Sequence, residues 1–342
     1  MRKIRIGTRG SKLALKQASM VQEALLQTED GIETELVILR TKGDRIQDKP
    51  LSEIGEKGVF ASELEQALLA GEIDLAVHSA KDLPMELAEG LKIAAVLPRA
   101  DVRDVLVVPR GGRLPHLRLT EPGRESGVVT VPAGNPLRND GGIETEFVAA
   151  CEEKESRCIF RIGSGSRRRR LLAGQFWSNV VCENIRGNVE TRLRKLQEGS
   201  YDGIILAKAG LDRLGIGNEG EQEQSGDAFL LCPLSPEQFL PAACQGIIAV
   251  EAVRDSGADR LCRKITDAET ELCYAVEREV LARLAADCSE AAAAWCRRDG
   301  EALVLDAMYA GDRVRLTCPA RLQEGRKMAG QAAGLLKGSA ET

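Results

Sequence analysis

Two stretches of this chain repeat each other in layout, and few folds accommodate such an echo. Arg5-Ile6-Gly7-Thr8-Arg9-Gly10-Ser11-Lys12 and Arg161-Ile162-Gly163-Ser164-Gly165-Ser166-Arg167-Arg168 open with the same three residues. Each runs from a short apolar segment through a Gly/Ser turn into a helix-like stretch. That layout gathers backbone N–H groups, hydroxyls and guanidinium groups at a helix N-terminus, where anions are held. A second echo keeps the same order. Leu69-Ala70-Gly71-Glu72-Ile73-Asp74-Leu75-Ala76-Val77 and Gln197-Glu198-Gly199-Ser200-Tyr201-Asp202-Gly203-Ile204-Ile205 each give a helix end, a Gly stop and a strand with Asp at the same offset. Two similar α/β domains facing each other across a cleft account for both. In that register Asp82 of the first copy falls opposite Gly210 of the second, so its carboxylate is an addition to one wall only.

The pattern along the chain fits this. Strands are expected at 3–7, 35–40, 73–77, 93–97, 105–108, 128–131, 159–162, 203–207 and 247–250, and helices at 13–27, 60–70, 168–176 and 189–198. Such alternation means mostly parallel sheets, with ligands outside the carboxyl ends of the strands. The stretch 110–156, rich in Gly, Pro and charge, reads as an extended connection or insertion. From about residue 267 the pattern changes to a helix at 269–286, strands at 303–309 and 314–318, and a last helix near 321–336, a small α+β unit. The expected division is a first domain of 1–99 with a return segment 246–263, a second of 103–240, and a third of 266–342.

Composition narrows the ligand. Lys+Arg 47 against Asp+Glu 52 leaves a formal charge of −5, which argues for local basic pockets rather than general polyanion affinity. Aromatics are 3%, too few for a base-stacking surface, so Arg167 to Arg170 do not read as a nucleic-acid contact. Ten cysteines without a C-x-x-C pair and two histidines give neither a zinc site nor a disulfide scaffold. The first residues read as a strand rather than a signal peptide, and no apolar stretch approaches a membrane span. A cytoplasmic, monomeric protein acting on small acidic molecules is expected.

Ala76-Val77-His78-Ser79-Ala80-Lys81-Asp82-Leu83-Pro84 resembles the signature of the porphobilinogen deaminase (hydroxymethylbilane synthase) family. Agreement continues in Thr41-Lys42-Gly43-Asp44, Gly55-Glu56-Lys57-Gly58-Val59-Phe60, Ile185-Arg186-Gly187-Asn188-Val189 with Thr191-Arg192-Leu193, and Leu240-Pro241-Ala242-Ala243-Cys244-Gln245-Gly246. The matches keep the family order to about Cys288. The resemblance implies two similar periplasmic-binding-protein-like α/β domains around a cleft plus a small α+β third domain. It also implies a transferase of tetrapyrrole (heme) biosynthesis that condenses four porphobilinogen molecules head to tail, releasing ammonia, on a covalently attached dipyrromethane primer.

Carried over residue by residue, the resemblance makes Asp82 the catalytic carboxylate and Cys288 the covalent anchor of the dipyrromethane. Lys81, Ser79, Ser166, Arg168 and Arg169 would hold that cofactor. Arg9, Ser11, Arg186, Arg192, Gln245, Lys57 and Phe60 would hold the substrate. Residues 48–60 read as a lid over the cleft, and His78 reads as structural. The bottom-up reading agrees, because each pyrrole carries acetate and propionate groups and the growing chain accumulates negative charge. Around Cys288 the sequence departs from the family: Ala286-Asp287 stand where a Gly-Gly pair is usual, so a loop of different shape is expected, with Cys296 as the fallback thiol. A non-catalytic cleft-type module for small carboxylate anions is the alternative.

Overall fold

The computed structural model describes residues 2–28, 31–39, 62–112, 114–115, 159–217, 228–286 and 290–340. Lys57, Phe60, Cys288 and the strand expected at 128–131 lie outside the described residues.

The first lobe begins with β1 (Arg2–Arg9), whose Ile4 and Ile6 are buried while Lys3 and Arg5 face outwards, the period-two alternation of a strand. Ser11 caps α1 (Lys12–Leu26) by accepting from Ala14 N, and the helix buries Gln17, Ala18, Val21 and Leu25. β2 (Ile32–Leu39), α2 (Ser62–Leu69), β3 (Leu75–Ser79) and β4 (Leu91–Val96) follow. The second lobe contains β5 (Asp104–Pro109), β6 (Phe160–Gly163), α3 (Arg167–Phe176), β7 (Val180–Glu183), α4 (Val189–Gln197), β8 (Gly203–Ala207), α5 (Lys208–Arg213) and β9 (Phe229–Pro233). The chain then returns to the first lobe as β10 (Ile248–Val253) and α6 (Gly257–Cys262).

The two sheets have the same plan. Their strand orders are β2-β1-β3-β10-β4 and β7-β6-β8-β5-β9. In each, the strand next to one edge is antiparallel to its neighbours and is supplied by chain that has just crossed from the other lobe. The sheets are therefore mostly parallel, as expected, with one reversed strand apiece. The echo extends to single bonds. Arg5 N donates to Asp74 Oδ2 (2.8 Å) while Asp74 N donates to Arg5 O (2.9 Å); Arg161 N donates to Asp202 Oδ2 (2.7 Å) while Asp202 N donates to Arg161 O (2.9 Å). The same acid closes the same turn in both lobes.

The third unit packs α7 (Ala268–Leu284) and α8 (Leu322–Ala340) on a meander of β11 (Ala292–Asp299), β12 (Ala302–Tyr309) and β13 (Asp312–Pro319). Alternate residues of β11 serve two cores. Ala293 and Trp295 join Phe160, Trp177 and Phe239 of the second lobe. Ala294 and Cys296 join α7, α8 and the residues Ala80, Leu83 and Ala243 beside the first lobe. The small sheet is thus pinned between its own helices and both lobes, which fixes the floor on which the site stands.

Candidate active site

The carboxyl ends of β3 and β8 mark equivalent points in the two lobes. After β8 the chain continues into α5; after β3 it makes a single 3-10 turn, Ala80–Asp82, and then leaves as Leu83-Pro84. Arg278 of α7 fixes that exit by donating to the carbonyls of Leu83 (3.3 Å), Pro84 and Met85 (2.9 Å). The backbone beneath Asp82 is held from the third unit. Its carboxylate is exposed and makes no hydrogen bond or ion pair among the described residues.

Cations from both lobes surround it electrostatically. Lys81 is half-buried and donates to Gln245 Oε1 at 3.1 Å. Burial, and then the charge of Arg169, push its ammonium down to about 8 against the opposing pull of Asp82 and Asp104. Arg192, in the first turns of α4, is pushed down to about 10 by burial and then by Arg169 and Arg186, again with Asp82 opposing. Arg192 Nε donates to Gly187 O at 2.8 Å, and the Asn188 side chain caps α4 by accepting from Thr191 N at 2.9 Å, so the Arg186–Arg192 turn is held by side-chain bonds to its own backbone. The Arg186 side chain makes no hydrogen bond or ion pair among the described residues.

Arg168 and Arg169 are buried, at 3% and 7% exposure, and share one acid. Arg169 donates to Asp104 Oδ1 (2.7 and 3.1 Å) and to Ile205 O (2.8 Å). Arg168 Nη1 lies 2.8 Å from Asp104 Oδ2 and donates to Leu240 O at 2.6 Å, while its Nε–H, equally buried, has no acceptor. Burial pushes the Asp104 carboxyl up, and the two guanidinium groups more than reverse this, holding it well below the usual carboxylate range.

The smaller polar residues are largely occupied. Ser11 and Ser166 cap α1 and α3, Ser166 accepting from Arg169 N at 3.4 Å. Ser79 and Gln17 exchange hydrogen bonds (2.9 and 3.2 Å). Gln245, expected to hold the substrate, is fully buried with both ends of its amide bonded within the protein, so in this structure it braces its neighbours. Arg9 is half-buried at the end of β1. His78 donates to, or accepts a proton from, the buried Glu251 at 3.0 Å, the structural role expected of it. Among the described cysteines, Cys182, Cys232, Cys244, Cys262, Cys296 and Cys318 all have thiols pushed up, chiefly by burial, or for Cys296 by a hydrogen bond with the Cys273 thiol and then burial. Cys296 is 1% exposed inside the third unit, so the fallback thiol is not an accessible nucleophile.

Sequence reasoning missed Asp104 and Arg278. The signal for the first was an acid opening an apolar strand, Asp104-Val105-Leu106-Val107-Val108, where a buried charge must find partners.

Residues 4–130 and 146–260 match the family described as porphobilinogen deaminase, dipyromethane cofactor binding domain. This chain belongs to the porphobilinogen deaminase family. Curated relatives bearing the name porphobilinogen deaminase include that of Syntrophobacter fumaroxidans, 39% identical over 84% of this chain and 77% of its own length. That of Acetivibrio thermocellus is 37% identical over 90% and 87%, and that of Streptococcus sanguinis is 35% identical over 97% and 94%. The porphobilinogen deaminase match spans every candidate site residue named above except Arg278, Cys288 and the fallback Cys296.

Proposed function

We propose that this chain condenses four porphobilinogen molecules head to tail, with release of ammonia, to give hydroxymethylbilane in tetrapyrrole biosynthesis. The observation that carries the reading is an exposed carboxylate, Asp82, with no hydrogen bond or ion pair among the described residues, set near cations drawn from both lobes. Every substrate unit brings two carboxylates, and Arg9, Arg186, Arg192 and Lys81 are the groups we assign to receive them, with Ser11 and, beyond the described residues, Lys57 and Phe60. A partly desolvated charge-assisted bond contributes about 1.5–3 kcal/mol, so a few of them hold a small acid firmly.

Catalysis concerns a charge of the opposite sign. When the aminomethyl C–N bond of porphobilinogen breaks, ammonia departs and a methylene conjugated with the pyrrole nitrogen is left cationic. Formation of the next C–C bond leaves a protonated α-carbon that must lose its proton. A fixed carboxylate stabilises both cationic stages and can take up that proton, and it acts most strongly where water is excluded.

The residues present fit a dipyrromethane cofactor, because Arg168 holds a buried N–H without an acceptor and Arg186 a guanidinium without a partner among the described residues. Arg168, Arg169, Lys81, Ser79 and Ser166 would hold it and Cys288 would anchor it. Once bound, it supplies the free pyrrole position from which the product grows. We extend the proposal to a three-domain division, 1–99 with 246–263, 103–240 and 266–342, and to a monomeric cytoplasmic enzyme. No described helix is long and apolar enough to cross a membrane.

Asp82→Asn removes the charge and little else. Turnover of porphobilinogen should fall by about 10²–10³-fold, the usual effect of deleting one group that stabilises developing charge. Mass spectrometry of the wild-type chain should show a two-pyrrole adduct on the peptide containing Cys288. Undiminished turnover in the Asn variant, or an unmodified Cys288 peptide in an active preparation, would contradict the assignments. Binding of small carboxylates without turnover in the wild type would return the chain to a plain anion receptor.

A further inference from the structure

Beneath the site lies a carboxylate to which the mechanism above gives no task. Asp104 is the first residue of β5, where the chain enters the second lobe, and it is fully buried. Its Oδ1 accepts from Arg169 Nη2 (2.7 Å), Arg169 Nε (3.1 Å) and Gln245 Nε2 (3.0 Å), and its Oδ2 faces Arg168 Nη1 at 2.8 Å. Gln245, on the return crossing, also donates to Val102 O at 2.7 Å and offers its amide oxygen to Lys81 Nζ at 3.1 Å. Those neighbours dictate the amide orientation, because the reverse would set an NH2 group against an ammonium. One acid therefore holds two cations of the second lobe directly and one cation of the first through a single amide.

The charges in this array do not cancel. Lys81 is faced by Asp82 on its own turn, by Arg168 and Arg169 of α3, and by Asp104 of β5. Lys81, Arg168 and Arg169 face one buried acid, Asp104, and the exposed Asp82, which leaves a net positive charge for whatever binds above them. A buried surplus of that kind is tolerable only if the cations are well hydrogen-bonded and cannot relax apart.

We propose that Asp104 and Gln245 are positioning residues for the reaction: Asp104 fixes Arg168 and Arg169 directly and Lys81 through the Gln245 amide, setting the carboxylate-receiving cations of both lobes in one register. The proposal rests on the functional reading above and adds the element that couples the two walls. Both residues sit where the chain passes between lobes, so any change in lobe separation is transmitted to Lys81 through two hydrogen bonds.

The test follows the charge state of Lys81 in the purified full-length chain. Amine acylation at Lys81, read by peptide mass spectrometry across pH, gives its titration midpoint, with and without activity. Gln245→Met removes the amide oxygen that accepts from the Lys81 ammonium while leaving both guanidinium pairs to Asp104, and the midpoint should fall by about one pH unit. Asp104→Asn should lower it as well. It also strands two buried guanidinium groups and can cost the fold, so the Gln245 variant, checked for an unchanged melting profile, is decisive. The alkaline limb of kcat/KM for porphobilinogen should move down with the labelling midpoint in each folded variant. An unmoved Lys81 midpoint in folded Gln245→Met overturns the relay. A wild type that titrates as expected but consumes no porphobilinogen overturns the functional reading instead, and with it the positioning role.

Discussion

An ammonium set among two guanidinium groups and two carboxylates titrates within the range of ordinary assays. The Lys81 value of about 8 lies below the unfolded value of about 10.4. The charged form is thus the one disfavoured by folding. Below pH 8 Lys81 is charged in both states and detracts from stability; as pH rises from 8 towards about 10.4 the folded state sheds its proton first and that penalty fades. Binding responds in the opposite sense, because receiving a carboxylate needs the charge. We expect kcat/KM for porphobilinogen to decline above pH 8, and Lys81→Met to start lower by about tenfold and lose that limb, as a pH profile of both proteins would show. A limb that persisted in the Met variant would belong to another group. Lys81, Asp82 and Arg192 could be named from sequence because each lies in a short run of distinctive residues. Their dependence on Asp104 could not. That acid reaches Arg168 and Arg169 only because β5 inserts between β8 and β9, a pairing set by the crossing of the chain and by no local pattern.

Most strands and helices of the two lobes were legible for a related reason: apolar runs such as Val105–Val108 and the capped stretch after Ser11 carry their period within a few residues. Those overlooked were short or misleading. α5 has six residues with Gly210 in the middle, β7 has four, and β11 begins Ala292-Ala293-Ala294, a run that propensity alone assigns to a helix. β11 is extended because both its faces are buried in different cores, and tertiary packing overrides propensity there. The end of α7 shows the reverse, a local rule left unsatisfied. Ala285 closes that helix with φ 55°, ψ 30°, a left-handed conformation in which glycine is favoured and alanine is strained. Ala285→Gly should relieve more strain than it adds in unfolded-chain entropy, for a net gain of about 0.5–1 kcal/mol. A urea midpoint that rises with an unchanged slope would bear this out, and a fall would mean that the strain is offset by contacts of the Ala285 methyl.

At the scale of the whole molecule, the three units meet at Glu277. This fully buried carboxylate of α7 accepts from Arg99 on the first crossing (2.5 and 3.2 Å), from Cys244 N on the return crossing (2.5 Å) and from Cys296 N of β11 (2.7 Å). Arg99 in turn donates to Gln245 O at 2.9 Å, so the strut carrying the third unit touches the same residue that braces Lys81. Removing one partner of a buried pair leaves an uncompensated charge, and Glu277→Gln should cost about 3–5 kcal/mol. Replacing both partners by apolar residues often restores most of such a loss, because neither charge then has to be desolvated. Here it should not, since the double variant Arg99→Met/Glu277→Leu still leaves the buried N–H groups of Cys244 and Cys296 without acceptors, each at a cost of about 1–3 kcal/mol. The expected pattern in chemical denaturation is a double variant more stable than Glu277→Gln yet well below the wild type. Full recovery would show that Glu277 serves only the guanidinium. Partial recovery would show that its two backbone bonds are what tie both crossings of the chain to the third unit, and so hold the floor of the site against the lobes.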